Sequence, residues 1–265
     1  MNSIKHFLLT LAILISLGTQ IASGQQHSEK PVFVLVHGAW HGGWCWQSVS
    51  ENLREKDFTV YTPTLSGLGE HKNILNEKIN LQTHIQDIVN LIEMEDLNNV
   101  VLVGHSYAGA VIAGVADMIP TRLKKLVFLD AMLVHNGESP HSLQPKDVQQ
   151  IENKLIEGKQ NLPPFPVSLF GITDSLQVRW VSERLTPQPF NTFAQKLILK
   201  HKYGNGLPLA YIACTNPWIP ILKKMSKEAQ NNPLWTYYTL NTGHDAMITV
   251  PNELATMFES IASDR

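Results

Sequence analysis

The sequence predicts an α/β protein: a doubly wound, mainly parallel sheet with helices on both faces and a helical lid insertion. Three observations predict it. Short apolar runs alternate with stretches of helical spacing along most of the chain, the pattern of successive strand-helix-strand units. The run Val100-Val101-Leu102-Val103 is apolar throughout, as suits a strand covered on both faces. Between about 135 and 205 the alternation fails, and Pro163, Pro164, Pro166, Pro187 and Pro189 break the chain into short pieces.

The elements follow in order. Lys5 and His6 precede the apolar stretch 7–17, and Ala22-Ser23-Gly24 offers small residues for cleavage, so residues 1–24 read as a secretory signal peptide. The stretch falls short of the roughly 20 residues that span a bilayer, and it lacks a cysteine for lipid attachment. The mature chain, 25–265, is expected to be one domain, secreted or periplasmic, with no membrane association after signal removal. Strands are expected at Val32–Val36, Phe58–Thr62, the run ending at Gly104, Leu126–Leu129, Leu209–Cys214 and Trp235–Leu240. Helices are expected over Trp46–Lys56, Leu81–Met94, the small-residue run from Ala108 to Gly114, a stretch between the last two strands, and Asn252–Ile261. The insertion, about 135–205, carries Phe165, Phe170, Trp180, Phe190 and Phe193, either the underside of a lid over a pocket or a small core of its own.

At 265 residues, 43% hydrophobic and 17% charged, the chain can bury a large core. A net charge of −2 gives no electrostatic reason to expect nucleic acid or an acidic membrane as partner. Cys45 and Cys214 are the two cysteines, too few for a disulfide scaffold; separate core thiols are expected, with a single bridge after export as the alternative. No cysteine or histidine spacing suggests a metal site, and no cofactor is implied.

The chemistry concentrates where strands end. Gly104-His105-Ser106-Tyr107-Ala108-Gly109 follows the buried strand and leads into a small-residue helix. A serine on such a turn projects its hydroxyl above the sheet edge beside helix amides that favour negative charge. The common form is Gly-x-Ser-x-Gly, and here Ala108 takes the last place with Gly109 next. A serine hydroxyl needs a base, and the base needs an orienting group. His244, in Thr242-Gly243-His244-Asp245 after the last strand, is the candidate base. His37-Gly38-Ala39-Trp40-His41-Gly42-Gly43 follows the first strand. Its glycines let backbone approach backbone, so the amides of Ala39 and Tyr107 are candidates for an oxyanion hole. His37 and His105 read as structural.

These segments, with Trp44-Cys45-Trp46, Gly67-Leu68-Gly69-Glu70 and Arg184-Leu185-Thr186-Pro187-Gln188-Pro189, resemble the α/β-hydrolase superfamily. The branch is that of plant methylesterases, hydroxynitrile lyases and related bacterial esterases, and the resemblance covers essentially the whole mature chain. It implies an aspartate after the strand ending at Cys214, yet the chain continues Thr215-Asn216-Pro217-Trp218. Some relatives place the acid after the preceding strand, which here means Asp130; Asn216 is the neutral alternative.

The resemblance admits three functions. The first is a serine carboxylesterase acting on a hydrophobic carboxylic ester or lactone through an acyl-enzyme. The second is a hydroxynitrile-lyase-like C–C lyase, disfavoured because Gly38 and Asp245 stand where such lyases carry threonine and lysine. The third is a non-catalytic protein that binds a small molecule.

Overall fold

The structure, a computed structural model, describes residues 30–264; the expected signal peptide lies outside them. Six strands form one parallel sheet: β1 (Val32–Val36), β2 (Val60–Tyr61), β3 (Val100–His105), β4 (Leu123–Leu129), β5 (Leu209–Cys214) and β6 (Trp235–Leu240), in the spatial order β2-β1-β3-β4-β5-β6. Every residue of β3 and β5 is buried, as their unbroken apolar runs require of central strands. β2 is only two residues long and β6 is half-exposed, and these are the two edges.

The chain steps outward from β1 to β2 and then returns to the other side of β1 for β3. Crossover connections are right-handed, so this reversal sends α1 (Gln47–Arg54) and α2 (Leu81–Met94) to opposite faces. α2 packs on α3 (Ala108–Met118), while α1 packs on the C-terminal α9 (Pro251–Ser263). The spacing of Leu81, Ile85, Ile88, Val89 and Ile92 turns one stripe of α2 inward, and Asn80 opens the helix with a capping box to Thr83. On the α9 side, Phe33 of β1 stacks on Phe258 at 6.1 Å.

Strand ends differ slightly from the sequence expectation. β4 starts three residues early, at Leu123, and β2 keeps only the middle of the expected stretch. Gly43–Trp46 forms a tight 3₁₀ turn ahead of α1. Pro220–Gln230 is the helix, α7, between the last two strands, and Ala246–Thr249 forms the short α8 just after His244. Both cysteines are buried and free.

The stretch 135–205 contains α4 (Lys146–Glu157), α5 (Ser175–Ser182) and α6 (Phe190–Ala194), held across by an antiparallel bridge between Leu162 and Gln188. It fastens to the loop after β1 through Trp40. The Trp40 amide donates to Gln188 Oε1 at 3.0 Å and its indole to the Leu162 carbonyl at 3.1 Å, while its own carbonyl accepts from the Thr186 amide at 2.9 Å. The rings of Phe165, Phe170 and Phe193 lie within 6.3 Å of the Trp40 ring, and Trp180 meets Trp44 edge-on. The aromatic residues therefore pack on the carboxyl end of the sheet and not chiefly on one another. No helix among the described residues is long and apolar enough to cross a membrane.

Candidate active site

The strand order reverses between β1 and β3, and ligands of such sheets bind beside that reversal, at the carboxyl ends of the strands. Ala39 follows β1, Ser106 follows β3, Asp130 follows β4 and His244 follows β6, so all the predicted site residues share this edge.

Ser106 sits at φ +54, a left-handed conformation that L residues adopt at a cost and that is held here by its surroundings. Its amide donates to the Leu129 carbonyl at 3.1 Å, and its carbonyl accepts from the Gly109 and Met132 amides. A Cβ on Gly104 would lie 2.7 Å from the Ala108 carbonyl oxygen, so only glycine permits α3 to start so close to β3. The departure at Ala108 also has an explanation. Ala108 is fully buried with its methyl accommodated, whereas a Cβ on Gly109 would overlap the Met132 carbonyl. The tight contact has moved one residue along.

Asp130, also at positive φ, turns its carboxylate toward the loop after β6. His244 Nδ1 donates to Asp130 Oδ2 at 2.7 Å, and the Cys214 amide at the end of β5 donates to Oδ1 at 3.3 Å. Both side chains are buried. Because a carboxylate accepts only, Nδ1 carries a proton and Nε2 is the ring nitrogen left outside that bond. The Asn216 amide donates to the Thr242 carbonyl at 2.9 Å, so that residue helps to hold the histidine loop through its backbone.

The loop bearing His244 is tied to the serine turn. His105 Nε2 donates to the His244 carbonyl at 3.1 Å, and the two rings are 4.4 Å apart. A Cβ on Gly38 would lie 2.8 Å from His105 Nδ1 and 3.0 Å from Ser106 Cβ. The loop after β1 therefore runs directly against the serine, as an oxyanion-binding backbone must. His37, buried at its base, donates from Nδ1 to the Gly38 carbonyl and accepts from the Leu65 amide. Burial drives its pKa down to about 3, so it stays neutral and structural. Burial lowers that of His105 as well.

Tyr107 has a buried ring stacked on Phe193 at 5.3 Å, and its hydroxyl donates to His84 Nδ1 at 3.1 Å. His84 Nε2 in turn donates to the Ser66 carbonyl. The position of Tyr107 is thus fixed from α2.

Two residues escape the sequence reading. Asp245 is buried with Oδ2 against His41 Nε2 at 3.2 Å and Oδ1 at 3.8 Å from His105 Nε2. Nothing in residue spacing links His41 to Asp245, because the contact exists only once β1 and β6 share a sheet. Among the described residues His105, His244 and Asp245 form the one group with metal-ligand donor atoms within 4.8 Å of one another. Its members are engaged in the bonds just described.

The comparisons accord with this architecture. The model of the alpha/beta hydrolase family matches residues 33–257. A carbendazim hydrolyzing esterase from Nocardioides sp. (strain SG-4G) is 36% identical over 234 residues, covering 84% of this chain and 96% of that protein. Methylesterase 10 of Arabidopsis thaliana is 26% identical over 264 residues, covering 90% and 94%. An extracellular α/β-hydrolase from a Paenibacillus species superposes with a TM-score of 0.74 at 24% identity, over 88% of this chain and all of that one. A pyrethroid hydrolase from Sphingobium faniae JZ-2 gives 0.67 at 18% identity, over 88% and 97%. Family model, strand order and strand-end loops agree: the chain belongs to the alpha/beta hydrolase family.

Proposed function

We propose that the protein is an exported serine carboxylesterase acting on a hydrophobic ester or lactone. The observation that carries the reading is the buried 2.7 Å bond from His244 Nδ1 to Asp130, on a loop hydrogen-bonded to the residue preceding Ser106. The names of the relatives, esterases over nearly their whole length, support it.

In this mechanism His244 Nε2 takes the Ser106 proton as Oγ attacks the ester carbonyl. The amides of Ala39 and Tyr107 receive the negative charge that forms on the carbonyl oxygen; a single donor of this kind is worth on the order of 10² to 10³ in rate. The tetrahedral adduct collapses, the alcohol leaves with the proton held by His244, and the acyl group stays on Ser106. Water, deprotonated by His244, attacks the acyl-enzyme and releases the acid, and the proton returns to Ser106. Asp130 keeps the ring in the required tautomer and stabilises the imidazolium.

The aromatic residues of 135–205 act as a lid whose inner face takes the apolar part of the substrate, since aromatic walls with few polar groups suit such ligands. Export rests on the basic start, apolar run and small residues of 1–24. The test follows hydrolysis of short- and long-chain aryl esters by wild type and Ser106→Ala. Turnover is expected to fall by at least about 10³ in the variant, with loss of the alcohol burst. Unchanged turnover defeats the mechanism.

A further inference from the structure

His41 is surrounded in a way that fixes its protonation. Its Nδ1 lies 2.7 Å from the Ala39 carbonyl oxygen and its Nε2 3.2 Å from Asp245 Oδ2. A carbonyl only accepts, and so does an ionised carboxylate. Both ring nitrogens must therefore donate, which only an imidazolium can do. The ring also stacks on the face of Trp44 at 5.3 Å, a contact that favours a cation.

The remaining neighbours are compatible with one positive charge at this place. His105 lies edge-on at 6.3 Å and Phe170 at 5.6 Å. His105 and His37 are kept neutral chiefly by burial, and the Cys45 thiol is pushed up by burial and by the Asp245 charge, so it stays protonated. For His41 itself burial alone would lower the pKa, but the charge and the hydrogen bond of Asp245 carry it above the ordinary histidine value.

We propose that His41 and Asp245 form a buried imidazolium-carboxylate strut that sets the oxyanion loop against the loop of the catalytic base. One end grips the carbonyl of Ala39, the residue whose own N–H is the proposed oxyanion donor. The other end is the residue next to His244. The pair joins the loop after β1 to the loop after β6, so it fixes the distance between the two groups that must act on the same tetrahedral intermediate. Both are positioning residues that act through Ala39 and His244, and this catalytic part of the inference rests on the esterase reading.

The test has two arms. In the wild-type protein, ¹⁵N–¹H spectra of the histidine rings, with His41 assigned by the loss of its signals in His41→Gln, should show protons on both nitrogens at pH 7. A single ring proton overturns the proposal, because the shared proton then sits on Asp245 or is absent. This arm stands whether or not any ester is turned over. In the second arm, Asp245→Ala should lower kcat by about tenfold to a hundredfold, the scale of a small misplacement of catalytic groups, with KM within about twofold. Asp245→Asn should recover much of that loss, since its amide N–H can donate to a neutral His41 Nε2 while Nδ1–H still holds Ala39. An unchanged kcat in folded Asp245→Ala overturns the strut. Loss of all turnover in Ser106→Ala together with two ring protons on His41 upholds both readings, and two ring protons without any dependence on Ser106 leave only the esterase reading overturned.

Discussion

The carboxylate bonded to His244 comes from Asp130, after β4 and not after β5, and the structure shows why the position serves. The Asp130 backbone departs from β4 at positive φ, which swings the side chain sideways past the end of β5, where the Cys214 amide steadies Oδ1. Asp130→Asn should leave the fold intact and lower kcat on aryl esters by on the order of 10³ to 10⁴, because the amide favours the wrong tautomer of His244. Asn216→Ala should change kcat by no more than about twofold, as its observed role is a backbone bond. A kinetic comparison of the two variants checks this, and the reverse pattern would reassign the orienting group. Ser106, His244 and Asp130 could be read from sequence because each follows an apolar strand by one or two residues or lies in a glycine-marked loop. His41 and Asp245 could not, for a bond between residues 204 positions apart has no local signature.

At the level of elements, strand limits at β1, β5 and β6 follow directly from the apolar runs, and α2 from its inward stripe. The stretch 135–205 was legible only as a break. Prolines stand at the starts of α4 and α6, Pro145 and Pro189, and its aromatic residues pack on Trp40 and Trp44, partners outside the stretch. The element most exposed to small changes is α3. Its start lies so close to the loop after β4 that a methyl group on Gly109 meets the Met132 carbonyl, which itself follows directly on the Asp130 turn. Gly109→Ala should destabilise the protein by about 1 to 3 kcal/mol, the range for overpacking against a rigid neighbour. Thermal or denaturant melts measure this. A stabilised variant, the result expected of alanine in an unhindered helix, would show that the contact relaxes freely.

For the molecule as a whole, buried histidines set a limit on acid tolerance. Burial lowers the pKa of His37 to about 3 and of His84 to about 4, while the unfolded chain titrates near 6.5. Between about pH 6.5 and 4 the unfolded state therefore binds more protons, and stability falls as pH falls. His41 works in the other direction. Its raised pKa contributes stability that is fully present below about 6.5 and is lost as pH rises through the higher folded value. The melting temperature should drop as pH is taken from 7 to 4, and His84→Gln, which removes one of the depressed groups, should flatten that slope. Equal slopes in the two proteins would contradict it.

The end of β5 lies between Asp130 and the loop that carries His244. Beyond β5 the Thr215 amide donates to the Leu240 carbonyl at the end of β6 and the Asn216 amide to the Thr242 carbonyl on the histidine loop, while on the other side His244 donates to the Asp130 carboxylate. β5 gives the Cys214 amide to Asp130 and the Cys214 thiol to the His244 carbonyl, so one strand end steadies both partners of that bond. A change at Cys214 therefore reaches the acid and the histidine loop together.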